Sequence, residues 1–476
     1  MTLAHISTIV NNKKLKFGHL TVNEIIEIAL EAESKVSDVI IAEAMEVTGK
    51  TENEVFEGIK GAFDHNFKAL KMGLEDGNSY LLGTVGSELE SLKIKKIRLF
   101  ADEFVDDAVR YTLGSQVGNH EMGLEPCAGT GDSCGYTGFA RAVIEHSETE
   151  DAALRAIAIM VKIGTLYRVG KTTTGCNMEG FGAAAAATAA ALVEFEGGTP
   201  EQLGRAVTLA VSPTIAVPCT PRISVPGLCA THIAGAILIG TLSARLVRMT
   251  DMPVTTDPDS MIAMAAAVHP VSAKYVVPIT IDYMLPFFKT NSAVESFVDQ
   301  SVRDAQNEHS QKMKEQVAME VRTLASKANP ITKPFGAAVV GGSSQAVGSP
   351  TNMGRIANKL IKGAIKKITI EIYPELFSRR GTNVPGILMG AVLGAKTDDV
   401  QAYRSIMQKV TEMGIAIEIR STETPQAQKI TIETTEGTYW VDTRNRGGGR
   451  INLVAASSSL EDITRIAKEL GIETVD

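Results

Sequence analysis

The stretch "TTTGCNMEGFGAAAAATAAALVEF", residues 172–195, constrains this chain more than any other. It places Cys176 in flexible, glycine-flanked backbone just before a run built almost wholly from alanine. Alanine is the strongest helix former and carries no side-chain bulk. Such a helix can only be stabilised by close approach of its neighbours. The surrounding residues 151–250 share this character, with many Ala and Gly and few charges. They predict a bundle of buried helices. The longest apolar runs are Phe181–Val193, interrupted by Thr188, and "IAGAILIGTL" at 233–242. Both fall short of the ~20 residues of a membrane-spanning helix.

The five cysteines of the 476-residue chain, Cys127, Cys134, Cys176, Cys219 and Cys229, all lie between positions 127 and 229. Their number is odd and no small disulfide module surrounds them. In a reducing compartment such a group points to metal, catalysis or plain burial. Read as bare residues, Cys176, Cys219 and Cys229 admit three explanations: buried small hydrophobes, a zinc site, disfavoured by the lack of a close CxxC pair, or an iron–sulfur cluster held by three thiolates. With no targeting segment visible, the expected location is cytoplasmic. The net charge of −8 argues against nucleic-acid binding, and no membrane partner is expected.

Before the bundle, residues 21–74 carry apolar residues at three- and four-residue steps, with Thr21 and Glu24 spaced as a capping box. The loop "EMGLEPCAGTGDSCGYTGFARAV" leads into a further helix and could offer backbone N–H groups to an anion. Near residue 330 the chain changes. "ANPITKPFGAAVVGGSSQAVGSP" reads as linker and loop. Beyond it, Ile-, Thr- and Val-rich segments alternate apolar and polar residues. Helical stretches around 350–362, 385–394, 398–413 and 459–470 separate them. The expected fold class is therefore multidomain: an N-terminal all-α helical catalytic domain, residues 1–330, and a C-terminal α+β domain with a mainly antiparallel sheet, residues 331–476.

Two segments carry a resemblance: "GCNMEGFGAAAAATAAALVEFEGGTPEQLGRAVTLAV" and "VPCTPRISVPGLCATHIAGAILIGTLSARL". Together they resemble the α-subunit of the iron–sulfur-dependent L-serine dehydratases, as does the opening "SDVIIAEAMEVTGKTENEV". "GGSSQAVGSPTNMGRIA", "SRRGTNVPGILMGAVLG" and "NRGGGRINL" are similar to that family's β-subunit, fused here behind the α-like part.

The resemblance implies that Cys176, Cys219 and Cys229 hold a 4Fe–4S cluster with one iron free of protein thiolate. That iron would act as a Lewis acid on the hydroxyl of a small carboxylate substrate. The implied reaction is elimination of water, with L-serine going to pyruvate and ammonia. Cys127 and Lys171 are the candidate catalytic residues; Ala128, Gly129, Thr130, Thr173, Ser343 and Ser344 are the candidate substrate contacts. A homodimer is the expected assembly. His232, Asp132, Ser133, Arg379 and Arg380 have structural readings beside their functional ones.

Departures from the family pattern keep rival readings open. The family's Ala-Pro-Thr-Ala-Gly loop reads "EPCAG" here, with Cys127 in place of Thr. Two residues stand inserted before Gly135. In the β-like part Gln345 and Arg380 replace histidines, and Asn383 replaces Asp. The alternatives are a lyase acting on another substrate, such as a cysteine desulfidase or hydroxy-acid dehydratase, and a non-catalytic relative that binds a small molecule or a cluster.

Overall fold

The computed structural model describes residues 3–122, 131–168, 178–216, 228–288, 290–328, 330–332, 348–447 and 449–476. At 131, 132, 167, 168, 178–180, 228, 229 and 348 only the backbone is described. The chain forms two compact units, Met1–Met319 and Glu320–Asp476.

Unit 1 is helical. It begins with α1 (Leu3–Asn12), α2 (Val22–Glu31), α3 (Val36–Thr48), α4 (Glu52–Glu75) and α5 (Val85–Ile94). Thr21 and Glu24 form the capping box that opens α2, and Thr51 with Glu54 opens α4 in the same way. Each pair satisfies two backbone N–H groups that a helix start leaves without partners.

The bundle follows: α6 (Glu103–Glu121), α7 (Gly131–His146), α8 (Glu150–Arg168), α9 (Met178–Phe195), α10 (Pro200–Val211) and α11 (Ile233–Met249). The alanine run is α9, with neighbours α7, α8, α10 and α11. Ala183–Ala187 and Ala189–Ala191 are all fully buried. The approach of α11 is close enough that a Cβ on Gly240 would meet Thr188 Cβ at 2.7 Å and Ala185 O at 2.8 Å. Large side chains enter the core from the flanks, with Phe139, Ile157, Ile159, Met160, Ile163 and Leu192 nearly or fully buried.

Unit 1 continues with α12 (Pro258–Met284), α13 (Ser292–Glu295) and α14 (Gln300–Ser326), the last spanning the division between the units. By length and composition, two helical stretches among the described residues are apolar enough to cross a membrane, Ala230–Met249 and Pro258–Phe287. Both are longer than the apolar runs visible in the sequence. α11 packs on α9, α10 and α6 within the bundle. α12 carries Pro270 and Pro278 inside it, and exposes Val271, Tyr275 and Ile279.

Unit 2 contains α15 (Gly348–Leu360), β1 (Ile365–Ile372), α16 (Pro374–Ser378), α17 (Arg380–Leu393), α18 (Val400–Glu412), β2 (Ala416–Ser421), β3 (Ala427–Thr434), β4 (Thr438–Asn445), β5 (Ile451–Ala456) and α19 (Leu460–Glu469). The sheet order is β2-β1-β3-β4-β5, antiparallel except for the parallel β1–β2 pair. The register sets Ile370 opposite Ile430, and Ile430 opposite Val441. With Ile368, Ile372 and Ile432 these residues form one fully buried face, as the period of two requires. α15 packs on β3 and β4, and α17 packs on α15.

Candidate functional site

Three loops of the bundle carry the sequence-derived site residues of unit 1. They join α6 to α7, α8 to α9 and α10 to α11. The described helix ends around them meet at one end of the bundle. Near the start of α7, Gly135 lies against Ala184 on α9, where an added Cβ would sit 3.1 Å from the alanine methyl. Phe181, in the first turn of α9, stacks on His232 with ring centroids 5.2 Å apart and planes 13° apart. His232 closes a π turn, Leu228–His232, that feeds α11. Because Gly240 then meets Thr188, α9 and α11 run parallel and start together. At the end of α6, Asn119 Nδ2 donates to Cys134 Sγ on α7 at 2.9 Å. Near the end of α8, Gly164 faces the Tyr136 ring and hydroxyl of α7.

The described ends of α6 and α7 carry a patch of buried polar side chains. Ser115, Gln116 and Asn119 on α6 are buried, as is Thr137 on α7. Gln116 Nε2 lies 3.0 Å from His120 Nε2, and Ser79 pairs with the other ring nitrogen of His120. Gln116 Oε1, Ser115 Oγ and His232 Nδ1 are buried without a hydrogen-bond partner among the described residues. Burial pushes the His232 ring below its ordinary value of 6.5, so the imidazole is neutral at physiological pH. Leaving a buried polar atom unpaired costs ~1–3 kcal/mol. These three atoms lie in the last two turns of α6 and in the turn before α11.

No family model matches the chain. A probable L-serine dehydratase, alpha chain, of Bacillus subtilis (strain 168) is 31% identical to it over an alignment of 212 residues that covers 42% of this chain and 69% of the relative. The chain belongs to the L-serine dehydratase alpha-chain family.

Cys127, Ala128, Gly129, Thr130, Lys171, Thr173, Cys176, Cys219, Ser343 and Ser344 lie outside the described residues. Cys229 is described through its backbone, in the π turn before α11. Chain connectivity puts Cys176 two residues before Met178 at the start of α9. Among the described residues, no group of three His, Cys, Asp or Glu side chains gathers to hold a metal. Cys134, the remaining cysteine, is buried against Asn119.

Asp132 and Ser133 fall within the first turn of α7. In unit 2 the two arginines have local partners. Arg379 pairs with Glu375 at 3.6 Å, and Arg380 donates to the Phe377 carbonyl at 3.0 Å while lying over that ring. Asn383 is fully buried and donates to the Leu376 carbonyl at 2.9 Å, which fixes α16 to the start of α17. The sequence reading passed over Ser115, Gln116 and Asn119. Their signal was present in "YTLGSQVGNHE", where polar residues recur at helical steps in a helix that must be buried.

Proposed function

We propose that this chain is an iron–sulfur-dependent lyase that eliminates water from a small hydroxylated carboxylate, L-serine being the leading substrate. The observation that carries the reading is the meeting of the α9 and α11 starts through Phe181 and His232, since Cys176 and Cys229 adjoin those starts. Cys176, Cys219 and Cys229 would hold the 4Fe–4S cluster. Cys176 and Cys229 adjoin the starts of α9 and α11 in the chain, and soft thiolates are the ligands such a group takes. When bound, it supplies a Lewis acid for the substrate hydroxyl.

The chain's own residues would do the rest. Lys171 would meet the substrate carboxylate as a charge-assisted donor. Ala128, Gly129 and Thr130 would offer loop N–H groups, and Thr173 a hydroxyl. Close packing along α9 excludes water from beneath the site. Elimination breaks the Cα–H and C–OH bonds of serine; the resulting enamine then hydrolyses to pyruvate and ammonia.

The test is anaerobic reconstitution with iron and sulfide, followed by a substrate screen read by mass spectrometry. A brown protein that converts L-serine to pyruvate is expected. A protein that stays colourless overturns the cluster. A brown protein that leaves serine intact but turns over another carboxylate overturns the substrate assignment alone.

A further inference from the structure

Away from the cysteine loops, a cleft of about 290 Å³ opens between α3, α4 and α8. Its walls are aliphatic: Ile40, Ile41, Val47, Val55, Ile59 and Val161. In this apolar setting sits one ion pair. Lys162 Nζ on α8 lies 2.6 Å from Glu43 Oε2 on α3, with the two side chains 15% and 6% exposed.

The two charges are not equally satisfied. The chain turns at Gly18, whose φ of +85° is one that residues with a Cβ rarely adopt. The turn aims the Gly18 and Leu20 N–H groups at Glu43 Oε1, at 2.8 and 3.4 Å. Glu43 thus accepts from three donors. The Lys162 ammonium carries three N–H bonds, and Glu43 is its one acceptor among the described residues. The hydroxyls at the cleft, Thr48 and Thr165, donate to carbonyls of their own helices. The larger unfilled hydrogen-bonding capacity of the ion pair therefore lies on its cation, with two N–H bonds left to Lys162 against three donors already at Glu43.

We propose that this cleft is a binding site for a small aliphatic monocarboxylate. Its carboxylate accepts from Lys162 Nζ, and its alkyl chain lies along Ile40, Val55 and Val161. The volume is at the lower end of ligand pockets, which start near ~300 Å³, so the ligand has on the order of ten heavy atoms or fewer. An aliphatic amine would set a second positive charge beside Lys162, with Glu43 already accepting from three donors. An amino acid would bring its ammonium into the same aliphatic cleft beside Lys162 and is disfavoured on the same ground. α8 runs from the cleft to Arg168, directly before the loop that holds Lys171 and Cys176, so a ligand here rests on the helix leading into that loop.

The test uses the full chain and hexanoate, with binding followed by calorimetry and ligand-observed NMR. Saturable binding of hexanoate is expected, with hexylammonium and norleucine at least tenfold weaker. Lys162→Gln should abolish binding. Val47→Glu places a negative charge at the rim, at a position 57% exposed where folding is not at stake, and should weaken binding at least tenfold. Absence of saturable hexanoate binding overturns the proposal. So does equal binding of hexylammonium or norleucine, or binding that Val47→Glu leaves unchanged.

Discussion

Gly240→Ala tests whether backbone-level packing of α11 on α9 holds the bundle together. The new Cβ would stand 2.7 Å from Thr188 Cβ and 2.8 Å from both Ala185 O and Thr188 Cγ2. Carbon atoms in ordinary contact are ~3.5–4.0 Å apart, so the two helices must part by roughly 1 Å. Neither obstacle can yield: Ala185 O is backbone, and a β-branched threonine is stiff within a helix. Overpacking of this kind costs ~1–3 kcal/mol. Alanine returns up to ~1 kcal/mol of helix propensity. The net expectation is a loss of about 1–2 kcal/mol, a fall of a few degrees in the unfolding temperature of unit 1. Gly58→Ala on α4 is the control. A Cβ there meets nothing within 4 Å, so it should stabilise by roughly 0.5–1 kcal/mol. Two probes separate the units. Far-UV circular dichroism follows mainly the helices of unit 1, and the single tryptophan, Trp440 on β4, reports unit 2. The Gly240→Ala transition should move in dichroism and stay in place in fluorescence. A variant as stable as the parent would refute the argument from close approach.

Three further outcomes are expected. Cys134→Ala strands the buried Asn119 amide and should cost ~1–3 kcal/mol, whereas Cys134→Ser keeps an acceptor and should cost less; urea titrations compare them, and equal losses count against the hydrogen bond. At Asp107, burial favours the neutral acid, but hydrogen bonds from His146 and Lys93 and the charges of Lys93 and Arg110 outweigh it and hold the carboxyl below its ordinary 3.8. Its contribution is therefore complete above the unfolded value and disappears as pH falls through the lower folded one, so Asp107→Asn should flatten the acid limb of stability below about pH 4, as unfolding at a series of pH values would show. Under the proposed function, Cys127→Thr should retain the brown absorption while each of Cys176→Ser, Cys219→Ser and Cys229→Ser loses it; a colourless Cys127→Thr protein would move Cys127 into the ligand set.

Much of the architecture was legible because it rests on local chemistry. The Thr21–Glu24 box is read from spacing alone, and it opens α2. The two-residue alternation in "KKITIEI" and "QKITIET" gives β1 and β3, and their Ile faces form the unit 2 core. What could not be read depends on partners distant in sequence. Pro270 and Pro278 would ordinarily interrupt a helix, yet α12 runs through both. The helix expected from 385 begins at Arg380, because Asn383 is tied to Leu376. Alternation also says nothing about strand direction, and the β1–β2 pair is parallel. At the site, the order of cysteines along the chain was visible. That α9 and α11 begin side by side follows only from Phe181, His232 and Gly240 in three dimensions.

The eight buried alanines of α9 have a consequence for how this protein can change over time. Most cores restrict polarity and are lenient about shape, so that Leu, Ile and Met exchange freely. Here the restriction is on size. Ala183–Ala187 and Ala189–Ala191 are all fully buried among the neighbouring helices, so a leucine in that run is a worse intruder than a serine or glycine. Drift along this helix should be confined to the smallest side chains, and a saturation library across 183–191 should return survivors sorted by volume, with hydrophobicity a poor guide to which ones persist.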